Sequence, residues 1–123
     1  MTDVEQIDKA IGAHGLWKAR LRQAIDTGSS DFDPSMIKLD NKCDFGKWLY
    51  GDISPELKKT STYEIVLEYH QDFHTEAARV LELAVTGKMV EARKAMAADS
   101  KFAAVSAALT TAMMEWKKRV KTA

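Results

Sequence analysis

The sequence predicts an all-α protein, a helical bundle with antiparallel neighbours, and three observations carry that prediction. Apolar residues recur at alternating spacings of four and three along three long stretches, the period of helices that share a core. Gly28, Gly51, Gly87 and the 2 prolines mark boundaries between segments. No segment shows the period-two alternation of a strand, and there is no repeat or low-complexity linker.

The first helix is expected over about Asp3 to Thr27. Val4, Ile7, Ile11, His14, Leu21 and Ile25 form its seam, interrupted by Lys18, and Trp17 shares a face with His14. Gly28 is placed to cap its C-terminus. Residues 28–40 are rich in Ser, Asp and Gly and read as a connecting loop, with Phe32, Met36, Ile37 and Leu39 expected to pin it to the body. Asp40 or Asn41 can then cap a short helix whose first turn holds Cys43 and which ends at Gly51. Phe45, Trp48 and Leu49 would bury one face of it, and Gly46 would admit the close approach of another group.

Ser54-Pro55 opens a short turn, proline being at home in the first helical position. Ser61-Thr62-Tyr63-Glu64 has the spacing of a capping box and starts a long helix to about Thr86, stopped by Gly87. Val66, His70, Phe73, Ala77, Val80 and Ala84 make its seam. Met89 to Ala97 is a shorter helical piece. Asp99 or Ser100 restarts the chain into a last helix to about Val120, buried through Phe102, Val105, Leu109, Ala112 and Trp116.

Several function classes are disfavoured by the totals. A chain of 123 residues suits one domain. With 18 basic and 18 acidic residues, no bulk charge draws it to nucleic acid or to an acidic membrane. Lys117-Lys118-Arg119 and Lys121 form its longest cationic stretch, which a helix C-terminus accommodates. One cysteine cannot form an internal disulfide, and the acidic N-terminus is followed by no apolar run of the signal-peptide kind. No stretch approaches the roughly 18 apolar residues of a membrane helix. A soluble, cytoplasmic protein is the expectation.

Chemistry concentrates in the single cysteine and the 3 histidines. A histidine on an apolar face is often just a hydrogen-bonded core residue. His70 and His74, however, stand at helical i, i+4 spacing and point one way, so the pair can hold one ion. His14 on a separate seam and Cys43 near a helix start complete three nitrogens and one sulfur, a tetrahedral set suited to zinc. The helix N-terminus would also favour the thiolate, the metal-binding form. The 3 tryptophans and 6 methionines read as core filler. Rival cofactors lack their ligands. Leu67 and Gln71 stand where a di-iron bundle would need glutamate three residues before each histidine, and covalent haem would need Cys-x-x-Cys-His. Blue copper is disfavoured by the third histidine and the helical setting.

His14-x-x-Trp17, Cys43-x-Phe45-Gly46-x-Trp48 and His70-x-x-Phe73-His74, in this order, resemble the signature of the chemoreceptor zinc-binding (CZB) domain family, over about Val4 to Trp116. The resemblance implies a four-helix bundle with additional short helices, often dimeric. It assigns Zn²⁺ to His14, Cys43, His70 and His74. It also implies a sensory role in bacterial signalling and chemotaxis, reporting zinc or oxidants such as hypochlorous acid to a chemoreceptor or diguanylate cyclase. No such output sequence accompanies the domain here, so the partner would act in trans or lie beyond an excised domain.

A closed four-ligand site would leave zinc no open position for substrate, which predicts a regulatory protein and no enzyme. Oxidation of Cys43 would weaken the site and free the short helix. Two alternatives stand beside this. One is a zinc hydrolase with an open coordination position, for which Glu68, Asp72 and Glu76 are the nearby bases in sequence. The other is an interaction bundle whose histidines are structural. Asp40, Asp44, Asp72 and Glu76 are candidates to support the imidazoles.

Overall fold

The computed structural model describes residues 2–122, with side chains through Val120, which leaves the Lys121 side chain outside. It contains α1 (Asp3–Thr27), α2 (Pro34–Ile37), α3 (Asp44–Tyr50), α4 (Pro55–Lys58), α5 (Ser61–Val85), α6 (Met89–Ala95) and α7 (Lys101–Thr122), and no strand among the described residues. The protein is all-α. None of these helices is long and apolar enough to cross a membrane.

The three long helices pack on one another, and α6 lies against both α5 and α1, adding Ala92 and Ala95 to their core. Contacts along α7 fix the directions. Lys117 near its end pairs with Asp8 near the start of α1 at 2.6 Å. Trp116 packs on Tyr63 near the start of α5, while Phe102 at the other end meets Phe73 further along α5. So α7 runs antiparallel to both α1 and α5 as expected. By contrast α1 and α5 are parallel neighbours, a departure from an all-antiparallel arrangement, because the 28–60 crossover carries the chain back to its starting end. The seams meet in a core of Leu21, Val66, Leu81, Phe102, Leu109 and Met113, all essentially inaccessible. Each such side chain stabilises the fold by about 1.5–3 kcal/mol relative to exposure.

The helix ends follow from local chemistry. Thr2 and Glu5 form a reciprocal capping box on α1, and Gly28 closes it in the left-handed region at φ 71°. Thr60, not Ser61, caps α5: its hydroxyl accepts the Tyr63 N–H at 3.3 Å, so Ser61 is the first helical residue. Pro34 and Pro55 occupy first-turn positions of α2 and α4. Residues 28–40 are thus not wholly loop, since Asp33 accepts the Ser35 N–H and starts the single turn of α2. Ser100 starts α7 by accepting the Ala103 N–H.

The anchoring of this segment also differs from expectation. Only Ile37 packs against the core, while Phe32, Met36 and Leu39 are 39%, 49% and 42% exposed. Phe32 instead lies on Trp17, ring centroids 4.9 Å apart, with the Arg20 guanidinium over both.

Candidate metal centre

The cluster forms where the middle of α1, the middle of α5 and the start of α3 converge. His14 is buried on the inner face of α1. Its Nδ1–H donates to the Ala10 carbonyl one turn back, at 2.8 Å. His74 is buried on α5, and its Nδ1–H donates to the Ile37 carbonyl in the crossover, also at 2.8 Å. Carbonyls only accept, so both rings carry their proton on Nδ1 and present a bare Nε2 lone pair inward.

His70, fully buried one turn before His74, places its Nε2 3.2 Å from His14 Nε2 and 3.1 Å from His74 Nε2. Cys43 brings Sγ to 3.4 Å from His70 Nε2 and 3.5 Å from His74 Nε2. One donor atom from each of the four residues lies within 4.8 Å of every other. Phe45 and Phe73 pack edge-on against His14, and Phe45 also against His70, so an apolar wall limits rotation of the rings.

Cys43 does not sit in the first turn of α3. It is the N-cap, and its Sγ accepts the Gly46 N–H at 3.3 Å. Asp40, one of the expected caps, stands before it and serves the cluster instead. Gly46 is required for this arrangement, because a Cβ there would come 1.9 Å from the Asp40 carbonyl oxygen.

The donor set fits a tetrahedral zinc ion. Bonds of about 2.0–2.1 Å to nitrogen and about 2.3 Å to sulfur imply edges of about 3.3–3.4 Å between nitrogens and about 3.5–3.6 Å from nitrogen to sulfur. The four separations of 3.1–3.5 Å among His70, its neighbours and the Cys43–His74 pair fall within a few tenths of an ångström of those edges. Protons alone do not account for the geometry. Two bare lone pairs and a sulfur face His70 Nε2, which could offer a single N–H, whereas one cation would satisfy all four.

Without a cation the cluster is neutral. Burial holds His14 down to about 4, against a partial upward pull from the Ala10 carbonyl. Burial, followed by the other two imidazoles, holds His70 down to about 2. His74 is lowered by burial, against the Ile37 carbonyl and Asp40. The expected stabilisation of the Cys43 thiolate is present but outweighed. Burial raises the thiol, the Gly46 and Phe45 N–H groups oppose it, and Asp40 and Asp44 add to the rise. In the metal-free protein the thiol therefore keeps its proton more tightly than an ordinary cysteine.

Among the expected supporting carboxylates, only Asp40 faces an imidazole of the cluster. Its Oδ2 is 4.0 Å from His70 Nδ1, a buried nitrogen with no hydrogen-bond partner. The Tyr50 hydroxyl donates to the same oxygen at 2.5 Å, and Gln71 Nε2 donates to that hydroxyl at 3.3 Å. Asp44 pairs with Lys9 at the surface. Glu76 is buried between Arg79 and Lys101, and neither Glu68 nor Asp72 joins the cluster. The Ala10 and Ile37 carbonyls and the Tyr50–Gln71 pair were not legible in the sequence. Backbone acceptors carry no residue signature, and Tyr50 reaches Asp40 only through the turn around Cys43.

An all-α domain with three imidazoles and a thiol converging on one point belongs to the class of metal-binding helical modules. Residues 14–81 match the sequence pattern of the family described as the chemoreceptor zinc-binding domain, a span covering more than half the chain and all four cluster residues. The chain belongs to that family, which is regulatory rather than catalytic. Comparison with curated proteins and with solved structures finds no match.

Proposed function

We propose that this chain is a zinc-dependent sensory module of bacterial signalling. His14, His70 and His74 would bind through Nε2 and Cys43 through Sγ. The observation that carries this reading is the mutual approach of four donor atoms from three helices to within 4.8 Å. When bound, Zn²⁺ supplies a fixed positive node and favours the thiolate form of Cys43. The chain's own residues do the positioning: the Ala10 and Ile37 carbonyls aim two rings, and Asp40 faces the third.

Four protein ligands leave no position for substrate, which favours regulation over hydrolysis. Cys43 is the responsive ligand, half-buried where the three histidines are buried. A two-electron oxidant such as hypochlorous acid would convert its thiolate to sulfenic acid and itself be reduced to chloride, removing the anionic donor. The start of α3 would then be free to move relative to α1 and α5. A chemoreceptor or diguanylate cyclase partner, contacted by the cytoplasmic module as a homodimer, would read that change.

Metal analysis of untagged protein and X-ray absorption test the first half, with one zinc per chain and three nitrogens plus one sulfur expected. Cys43→Ser tests the second. It should lower zinc affinity by more than about 100-fold, beyond the usual cost of losing an outer partner, and abolish any structural response to oxidant. An oxidant response that survives in the serine variant refutes the redox half.

A further inference from the structure

A cleft of about 360 Å³ opens beside the cluster, between α1 and the segment leading from α2 into α3. That volume falls within the roughly 300–1,000 Å³ of small-molecule sites. Its apolar lining includes Ala13, Trp17, Phe32, Met36 and Leu39, with the Trp17 and Phe32 rings in contact. Phe32, Met36 and Leu39 are exposed side chains that the core does not take up. Apolar groups gathered around one opening favour a ligand that removes them from water.

Charge selects the kind of ligand. Lys9, Arg20 and Lys42 line the cleft against a single carboxylate, Asp44, which Lys9 already pairs at 3.6 Å. Arg20 is held at the mouth, its guanidinium 5.1 Å and 5.0 Å from the ring centres of Trp17 and Phe32. Lys42 has no acidic partner among the described residues. An apolar slot with surplus positive charge at its edge suits an amphipathic anion.

We propose that this cleft binds a medium-chain carboxylate, its tail along the apolar lining of Trp17, Phe32, Met36 and Leu39 and its head group at Arg20 and Lys42. Cys43 and His74 form part of the same lining. A bound tail therefore covers the solvent route to the thiol, giving a second chemical input beside the metal. The binding itself requires no metal, so it goes beyond the sensory reading and can fail independently of it.

The test is calorimetric titration of the purified chain with decanoate, and with decanol as an uncharged ligand of the same tail. Saturable binding of one decanoate per chain is expected with Kd below about 1 mM, and decanol should bind at least about fivefold more weakly. Phe32→Asp places a carboxylate in the slot at an exposed position and should abolish binding. Lys42→Glu, also at an exposed position, should weaken it about fivefold or more. Both variants should keep the parent helical content and zinc content, so a negative result leaves the metal assignment standing. Three results overturn the proposal: no saturable binding, equal binding of decanoate and decanol, or binding unchanged in both variants. A concentration-dependent dimer dispersed by Phe32→Asp, with no decanoate bound, also overturns it by assigning the cleft to a second copy of the chain.

Discussion

The three histidines ride on α1 and α5, helices of 25 residues each that pack against each other and against α7 along their length. Cys43 rides on the crossover, whose helices α2, α3 and α4 have only 4, 7 and 4 residues. The histidine side is thus built into the long helices of the core, while the cysteine side is a set of short helices laid against it, tied down by Ile37, Phe45, Trp48, Leu49, Ile53 and a few polar contacts. A site divided this way seats all three histidines on the long helices, although His74 takes its Nδ1 partner, the Ile37 carbonyl, from the crossover. Short helices open at lower free energy than long packed ones. The proposed conformational response is therefore expected in residues 33–51, with the bundle as its frame.

Breaking the histidine side should have the largest effect. His70 is fully buried and contacts the donor atoms of the other three residues. His70→Ala removes a ligand and leaves a cavity, so zinc affinity should fall by more than about 100-fold. Stability should fall by about 2–4 kcal/mol even in the metal-free protein. Metal analysis and denaturant titration in chelator separate the two losses.

Breaking the cysteine side should cost less and spare the bundle. Gly46→Ala forces α3 away from the Asp40–Asn41 backbone, since neither the carbonyl at 1.9 Å nor the Cα at 3.0 Å is a flexible side-chain end. A loss of about 1–3 kcal/mol is expected, with weaker zinc binding because Cys43 and Asp40 flank the displaced contact. Hydrogen exchange should rise across residues 33–51 and stay unchanged in the middle of α5 and α7. Uniform loosening of all three long helices would refute the division.

The same division marks what was legible in the sequence. The boundaries of α1 and α5 followed from periodicity and caps because long helices average many weak signals. The four cluster residues were legible because the chain has no other histidine or cysteine. The crossover was harder to read. The turn at Asp33-Pro34 is too short for periodicity, and the N-cap role of Cys43 was hidden because Asp40 and Asn41 are better cappers by residue type. Asp40 was instead drawn to Tyr50 and His70 by contacts that no local pattern encodes.

Acid and base should act on opposite halves of the metal-free protein. His14 and His70 are held at about 4 and about 2 in the fold by burial, whereas an unfolded imidazole titrates near about 6.5. Between those values the unfolded chain binds more protons, so stability falls as pH drops from about 6.5 toward about 4 and below. Cys43 works the other way. Its thiol is raised by burial, so the unfolded chain loses that proton first and stability falls as pH climbs past about 8.5. Denaturant midpoints in chelator should therefore peak between these limits. Cys43→Ser should flatten only the alkaline limb, and a variant that flattens both would show that the halves titrate as one unit.

The smallest effect should come from the Asp40 link between the two halves. Its carboxylate lies 4.0 Å from His70 Nδ1 and accepts the Tyr50 hydroxyl, so a crossover residue faces a histidine on α5. Outer partners of this kind are worth about 10–100-fold in metal affinity. Asp40→Asn keeps the shape but removes the charge facing His70, and zinc affinity measured by chelator competition should fall within that range with the helical content unchanged. Tyr50→Phe leaves the carboxylate in place and removes only the hydroxyl that orients it, so its effect should be smaller. If Tyr50→Phe equals or exceeds Asp40→Asn, the orientation of the crossover rather than the charge on Asp40 sets the strength of the site, and the cap over the histidines acts through geometry alone.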